Sequence, residues 1–372
     1  MKNIDSVARV LGVDVGGAHI KLADASGQSL ALTFPMWLQA DRLADRVREL
    51  TCQFCREHNK EFTHLAVTMT GEMADCFATR RIGVEFILRN LTEALPELEH
   101  YVYCVDGNWL DSEQACRKPW DVAASNWHGL ASWISRTVVP REDNPRLVLD
   151  IGSTTVDVIP IANGNVATVA RTDSDRLRLQ QLVYTGVGRT SAAAILSSAT
   201  IHGAQWPLVA ELFATSDDAY ITLGLTHVSA AASEDALRTP VSVAEAFETA
   251  DGRPRTLAHA RARLARMLAE DCERLTGGEV EMLAQQMVDK QASQVAQAMA
   301  ANLPTVSEDH RRPLIILSGH GSALARTALK KLSQPVDCID LSERISPTAA
   351  RCAPAVAVAW LLQEHLSTYE RA

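Results

Sequence analysis

The sequence predicts an α/β protein of two lobes with a cleft between them, on three observations. A chain of 372 residues exceeds what one ordinary hydrophobic core organises and suffices for two domains. Its first 138 or so residues alternate strand and helix patterns, the mark of a sheet covered by helices. One unit of that pattern then recurs. LGVDVGGAHIKLADA (11–25) and LVLDIGSTTVDVIPI (147–161) share an apolar strand, Asp-X-Gly, small or hydroxyl residues and a second apolar strand.

Taken in order, VLGVD reads as a strand, IKLADAS as its hairpin partner, THLAVTMTG and HYVYCVDG as further strands. DRLADRVRELTCQFCREH between them reads as a helix whose apolar face is Leu43, Val47, Leu50 and Phe54. Cys52 and Cys55 have CxxC spacing, but no second pair at ligand spacing accompanies them, so they read as packing residues. All eight cysteines are expected as free thiols in a chain this large.

TVVPREDNPR, rich in Pro and charge, marks a hinge, after which LVLDIG restarts the series. A polar, irregular insertion over 171–254 follows. Next comes a helix with Leu257, Ala260, Leu264, Met267, Leu268 and Leu275 on one face and RARLAR as its solvated side. A second helix over 279–301 carries Val280, Leu283, Met287, Val295 and Met299 on its stripe, and LIILSGHGSALARTALKKL reads as strand, glycine turn, helix. The lobes are expected over 1–140 and 145–352.

With 36 Lys and Arg against 45 Asp and Glu, and no basic block, nothing in the chain suits nucleic acid. An acidic residue interrupts MKNIDSVARVLGVDVGG where a signal peptide is apolar, and APAVAVAWLL (353–362) is too short for a membrane span. A cytoplasmic, membrane-free protein is expected. The sequence leaves open whether it forms a homo-oligomer.

The repeated unit has a chemical meaning. A hairpin turn built from Gly16 and Gly17, or from Gly152, Ser153, Thr154 and Thr155, exposes backbone N–H groups and lets an anion approach them. Asp14 and Asp150 end the preceding strands, where they can hold a hydrated Mg2+ that neutralises such an anion. Lys21 adds a point charge unless it is simply an exposed strand lysine, and Asp157 is placed to orient the second loop. Two such loops across a hinge make a duplicated phosphate clamp, with Gly319 and Gly321 forming a third glycine turn. His19 sits inside the first turn, as donor, base or structural residue. Glu72, Asp75 and Asp106 follow predicted strands, where clefts of such sheets open; a turn or cap role is the competing reading for each.

VDVGGAH and LDIGSTTVD, with LSGHGSALA later, resemble the two phosphate loops and the adenosine loop of the sugar kinase, Hsp70 and actin superfamily. That resemblance implies two ribonuclease-H-like domains, with the helix over 353–366 packing back on the first. His320 departs from it by interrupting the adenosine loop, where an imidazole would fill the base slot or stack on a base. A narrower resemblance runs from residue 11 to about 362. VDVGGAHIK, TMTGEMADCF, YCVDGNW, AASNWHGLA, LDIGSTTVDVIPI, TDSDRL, LVYTGVGRT, ELFATSDDAY, ADGRP, RARLARML and APAVAVAWL together are similar to hydantoinase/oxoprolinase-like proteins of the tetrahydromethanopterin-linked one-carbon pathway.

What this implies is a transferase of methanofuran or methylofuran biosynthesis. An aminomethyl-furanmethanol diphosphate alkylates the phenol of tyramine, glutamyl-tyramine or tyrosine and releases pyrophosphate. The implied diphosphate ligands are Gly16, Gly17, Lys21, Gly152, Ser153, Thr154, Thr155, Gly319 and Gly321, with Mg2+ on Asp14 and Asp150. Catalytic roles fall to Asp14, His19, Lys21, Glu72, Asp106 and Asp150, and substrate contacts to Asp75, Asn126, Asp173, Tyr184, Arg189 and Asp251. Trp127 is a substrate wall or core. The alternative at the same fold is an ATP-dependent small-molecule kinase or ATP-coupled amidohydrolase, and a third is an ATP-gated regulator.

Overall fold

The computed structural model describes residues 9–138, 146–226, 249–303 and 312–369. The expected hinge lies, from 139 to 145, outside the described residues. The first sheet is built from β1 (Val10–Val15), β2 (His19–Asp24), β3 (Ser29–Thr33), β4 (His64–Met69), β5 (Glu99–Tyr103) and β6 (Trp109–Leu110). With it come α1 (Met36–Gln39), α2 (Leu43–His58), α3 (Arg80–Ala94), α4 (Ser112–Arg117), α5 (Pro119–Val122) and α6 (Asn126–Thr137).

The second part contains β7 (Arg146–Ile151), β8 (Val156–Ala162), β9 (Asn165–Val166), β10 (Leu182–Val183), the hairpin β11 (Ser198–Ile201) and β12 (Ala204–Pro207), β13 (Leu314–Gly319) and β14 (Asp337–Asp340). Its helices are α7 (Asp173–Arg178), α8 (Ala192–Ile195), α9 (Ser216–Thr222), α10 (Leu257–Arg266), α11 (Gly277–Asn302), α12 (Ser322–Leu329), α13 (Pro347–Arg351) and α14 (Ala353–Tyr369).

Both sheets follow one plan. The strand order is β3-β2-β1-β4-β5-β6 in the first and β10-β8-β7-β13-β14 in the second, with β9 beside β8. In each, an antiparallel hairpin comes first and parallel strands then add on the far side of its first strand. This is the ribonuclease-H-like arrangement, twice. The register repeats as well: Asp14 faces Lys21 in one hairpin, and Asp150 faces Asp157 in the other.

Each sheet has its own apolar core, and a third core joins them. In that third core α14 lies against β1, β2 and β4, while α6 lies against β8 and β9, and the two helices pack on one another. Val10 and Ala66 of the first sheet thereby share a cluster with Val148 and Ile159 of the second, through Leu130 and Val358. The alternating Ala and Val of APAVAVA let α14 come close: a Cβ on Gly12 would lie 2.1 Å from the Ala355 carbonyl oxygen. Trp127 is 2% exposed within this core.

Four expectations are corrected. The helix expected through Leu275 stops at Arg266, because Met267 and Leu268 turn inward and Ala269 takes φ 56°. Its basic side is not solvated throughout: Arg263 is 0% exposed, held by Asp218 at 2.7 Å and Asp251 at 3.0 Å. The insertion is largely ordered where described, carrying α7 to α9 and the β11–β12 hairpin; 227–248 lie outside the described residues. On α2 the expected apolar face is buried, whereas Cys52 is exposed and Cys55 half-buried.

Gly12→Ala is expected to cost about 1–3 kcal/mol, because overpacking must push α14 off β1. Equilibrium denaturation measures it, and a loss below a few tenths of a kcal/mol would mean that α14 does not sit this close.

Candidate active site

The two repeated hairpins open on one cavity of about 420 Å³. Each turn closes with the same bond, Gly16 N–H to His19 O at 2.8 Å and Gly152 N–H to Thr155 O at 2.9 Å. The Gly17 and Ala18 carbonyls are occupied by Met36 N–H and Phe34 N–H, and the Ser153 carbonyl by Gly188 N–H and Arg189 N–H. Among the described residues the amides of Gly17, Ala18, Ser153 and Thr154 are spent on no backbone acceptor, so the turns present donors and withhold acceptors. Gly186 has to be glycine, since a Cβ there would meet the Ser153 carbonyl carbon at 2.4 Å.

Asp14 and Asp150 both line this cavity, and Lys21 lies within the field of both. Lys21 Nζ donates to Asp14 Oδ2 at 3.1 Å, while Asp14 Oδ1 is buried without a hydrogen-bond partner. Burial acts to lower the Lys21 pKa, but Asp14 and Asp150 outweigh it and hold it above its ordinary value. Burial, reinforced by the charge of Asp157, pushes Asp150 up to about 6. Burial and the neighbouring Lys21 and Arg351 lower His19 to about 4, so it is a neutral imidazole at pH 7.

Glu72 supplies the least compensated charge. It sits in a single helical turn after β4, 1% exposed, and neither carboxylate oxygen has a hydrogen-bond partner. A Cβ on Gly83 of α3 would come 2.3 Å from the Glu72 carbonyl oxygen, so α3 presses the turn into place. Burial raises Glu72 to about 7 against the pull of Arg80, whose Nη1 is 3.8 Å from Oε1. Arg80 also donates to Asp173 Oδ2 at 2.6 Å, an ion pair from the first lobe to the second. Asp173 starts α7, fixed by the Thr172–Asp175 capping box.

Arg176, one turn on, is buried against Asp157, donates to the Gln181 carbonyl at 3.1 Å and stacks on Trp127 at 4.4 Å. It neutralises at the second hairpin the carboxylate that stands where the first has Lys21. The remaining wall holds Asp75, Asn126, Tyr184 and Arg189 from the expected set, with Trp37, Thr70 and Met73 in addition. Trp37, Arg80 and Arg176 were not singled out in the sequence; the capping box in TDSD marks the neighbourhood of Arg80 and Arg176, and Trp37 gave no such signal.

Four expected site residues stand elsewhere. Asp106 is exposed and closes its own turn, accepting from Asn108 N–H at 3.0 Å. Asp251 is not among the residues that line the cavity and is engaged by Arg263 at 3.0 Å and Arg266 at 3.2 Å. Gly319 and Gly321 are not among the residues that line the cavity but lie just behind it: a Cβ on Gly319 would meet the Ile151 carbonyl oxygen at 2.2 Å and the cavity-lining Asp150 Oδ1 at 2.9 Å, and one on Gly321 the Ile151 side chain at 2.1 Å. His320 donates its amide to the Ile151 carbonyl and is lowered to about 4 by burial and Arg351.

The donor set suits an anion only with a cation beside it. Asp14, Glu72, Asp75, Asp150, Asp157 and Asp173 line the cavity against Lys21, Arg176 and Arg189. Among the described residues no three His, Cys, Asp or Glu side chains gather as a closed metal cage. Mg2+ asks for less, one or two carboxylates with the remaining positions from phosphate and water, and the unpartnered Asp14 Oδ1 with Asp150 meets that demand.

The sequence matches the hydantoinase/oxoprolinase family over residues 64–230. It is 29% identical over 360 residues to a (4-{4-[2-(gamma-L-glutamylamino)ethyl]phenoxymethyl}furan-2-yl)methanamine synthase of Methanocaldococcus jannaschii, spanning 96% of this chain and 98% of that one. A protein of the same name from Methanococcus vannielii is 24% identical over 239 residues, 64% of this chain and 97% of the relative. Among solved structures, the activator of 2-hydroxyisocaproyl-CoA dehydratase from Clostridium difficile with bound ADPNP superposes with a TM-score of 0.44 at 10% identity, covering 98% and 97% of the two chains. A ROK family glucokinase from Streptomyces griseus with glucose and AMPPNP gives 0.42 at 10% identity, covering 95% and 98%. Among the described residues no helix is long and apolar enough to cross a membrane.

Two outcomes follow from this geometry. Glu72 is raised from 4.5 to about 7 on folding, so the folded state keeps its proton longer and the carboxylate weakens the fold as pH rises from about 4.5 to about 7. Glu72→Gln is therefore expected to gain Tm over the native chain at pH 8 and little at pH 5; a Tm loss at pH 8 contradicts this. Asp251→Asn is expected to lose about 1–3 kcal/mol of stability in denaturant titration while leaving ligand affinity unchanged.

Proposed function

We propose that the protein is a transferase of methanofuran or methylofuran biosynthesis, joining a furfuryl diphosphate to a phenol as an aryl ether. The observation that carries this reading is the cavity, where two register-matched hairpins meet a buried carboxylate, Glu72, that has no hydrogen-bond partner and only Arg80 at 3.8 Å. The name of the full-length relative supports the same reaction class.

In this reading the amides of Gly17, Ala18, Ser153 and Thr154 and the Lys21 ammonium hold the diphosphate and stabilise the charge that grows on it as it departs. A Mg2+ ion carried in with it would rest on Asp14 and Asp150 and supply electrostatic stabilisation of the leaving group. His19, neutral at working pH, donates a hydrogen bond without adding charge. The phenol, with a pKa of about 10, is a weak nucleophile at neutral pH, and Glu72 takes its proton. The phenolic oxygen bonds to the furfuryl carbon as the carbon–oxygen bond to the diphosphate breaks, so pyrophosphate leaves and the proton stays on Glu72. The Arg80–Asp173 pair holds the lobes together over Glu72, which limits competing attack by water.

Incubating the protein with Mg2+, aminomethyl-furanmethanol diphosphate and each phenol in turn, with mass spectrometry and a pyrophosphate assay, tests this reading. The expected result is one ether and one pyrophosphate per turnover. Phosphate or ADP released from ATP on addition of a small molecule, with no ether formed, would favour a kinase or ATP-coupled amidohydrolase instead. Activity is expected to rise with pH through about 7 as Glu72 loses its proton, and Glu72→Gln to lower kcat by about 10²–10⁴. A flat profile between pH 5.5 and 8.5 would remove Glu72 as the base.

A further inference from the structure

Arg80 stands between two carboxylates and gives them unequal shares. Its Nη2 donates to Asp173 Oδ2 at 2.6 Å, a full charge-assisted hydrogen bond, while its Nη1 stops 3.8 Å from Glu72 Oε1, about 1 Å too far for one. The same guanidinium lies over the Trp120 ring at 5.6 Å and touches Met73 Sδ, so it is held from further sides. With side chains only 14% and 17% exposed, the Arg80–Asp173 pair is little weakened by solvent.

Asp173 is the fixed partner. It opens α7 under the Thr172–Asp175 capping box, and its Oδ1 lies 3.5 Å from Arg176 Nη1. Arg176 is buried, paired in turn with Asp157, bonded to the Gln181 carbonyl and stacked on Trp127. Glu72 is fixed as well, since Gly83 of α3 lies against its backbone. The charged and titratable groups that face Glu72 are Arg80 on α3, Asp173 on α7, Asp14 on β1 and Tyr184 after β10. Of the three charges only Arg80 favours the carboxylate, and Arg80 is the group that Asp173 holds.

We propose that Asp173 is a positioning residue for the base: anchored by Arg176, it holds Arg80 short of Glu72 and so leaves both Glu72 oxygens open to take a proton. This rests on the reading of Glu72 as the base of the ether-forming reaction. An arginine closed on Glu72 through two hydrogen bonds would occupy the lone pairs that the phenol's proton needs and keep the carboxylate ionised well into acid. Glu72 follows β4 and Asp173 starts α7, so a base carried by the first sheet depends on a residue beside the second.

Two measurements on the full chain report the proton affinity of Glu72: the pH dependence of kcat and, without turnover, the Tm gained at pH 8 by adding Glu72→Gln. A Glu72 held ionised by Arg80 weakens the fold less as pH rises, so that gain shrinks; a Glu72 stripped of Arg80 weakens it more, so the gain grows. Asp173→Asn is therefore expected to move the activity limb to acid by about one pH unit and shrink the gain. Arg80→Met is expected to move the limb to alkali by about as much and enlarge the gain. The loss of a merely structural ion pair would move both variants the same way, and shifts of one sign overturn the proposal. In the Arg80→Met background, Asp173→Asn is expected to shift the limb by less than about 0.3 pH unit, because it acts through Arg80. A shift there as large as in the native background would make Asp173 a direct field on Glu72 and overturn its positioning role. Opposite changes in the Tm gain without any ether formed would support the placement of Asp173 and count against the proposed reaction alone.

Discussion

The close approach of α14 to β1 at Gly12 is the constraint on which the cavity depends. Two sheets of the same plan have no reason of their own to face each other, and their matched turns do so because α14 and α6 are packed between them. α14 reaches the first sheet only because Gly12 has no Cβ and Ala355 and Ala359 are small. Because α6 precedes the second sheet in sequence yet packs on it, and α14 follows it yet packs on the first, each sheet is covered by a helix from the other half of the chain. That exchange fixes where the turns meet.

The arrangement concentrates charge where solvent is scarce. Lys21 serves Asp14 directly and Asp150 through its field, Arg176 answers Asp157, and Arg80 divides itself between Asp173 and Glu72. Glu72 is left the least compensated, and its raised pKa follows from burial without a hydrogen bond. A fold selected for stability alone would not keep this group. On the proposed reading the missing partners come with the ligands: a diphosphate with its metal and a phenol would bring an anion, a cation and a proton donor to a group that lies beside two turns with free amides.

Much of this was legible in the sequence because it is local. The Asp-X-Gly hairpins read directly from their residues, and the structure places Asp150 and Asp157 in the register that Asp14 and Lys21 hold. Glu72 was marked by its position after a strand. What escaped is what forms between distant segments. Arg263 looked solvated because its partners, Asp218 and Asp251, come from other segments, and the same contacts engage Asp251 away from the cavity lining. Arg80 and Trp37 gain meaning only from what the second lobe sets against them, Asp173 and Arg189. That Gly319 and Gly321 make room for Ile151 and stand against Asp150 shows only in the fold, since glycines that receive a ligand and glycines that make room for a side chain are the same in sequence.

The central claim is that both hairpins serve one ligand. A double-mutant cycle of Asp14→Asn and Asp150→Asn, read as Mg2+-pyrophosphate affinity by calorimetry, tests it most directly. The account predicts that each change weakens binding and that the pair together costs clearly less than the sum of the two. Purely additive losses, or one variant that binds as tightly as the native protein, would contradict it.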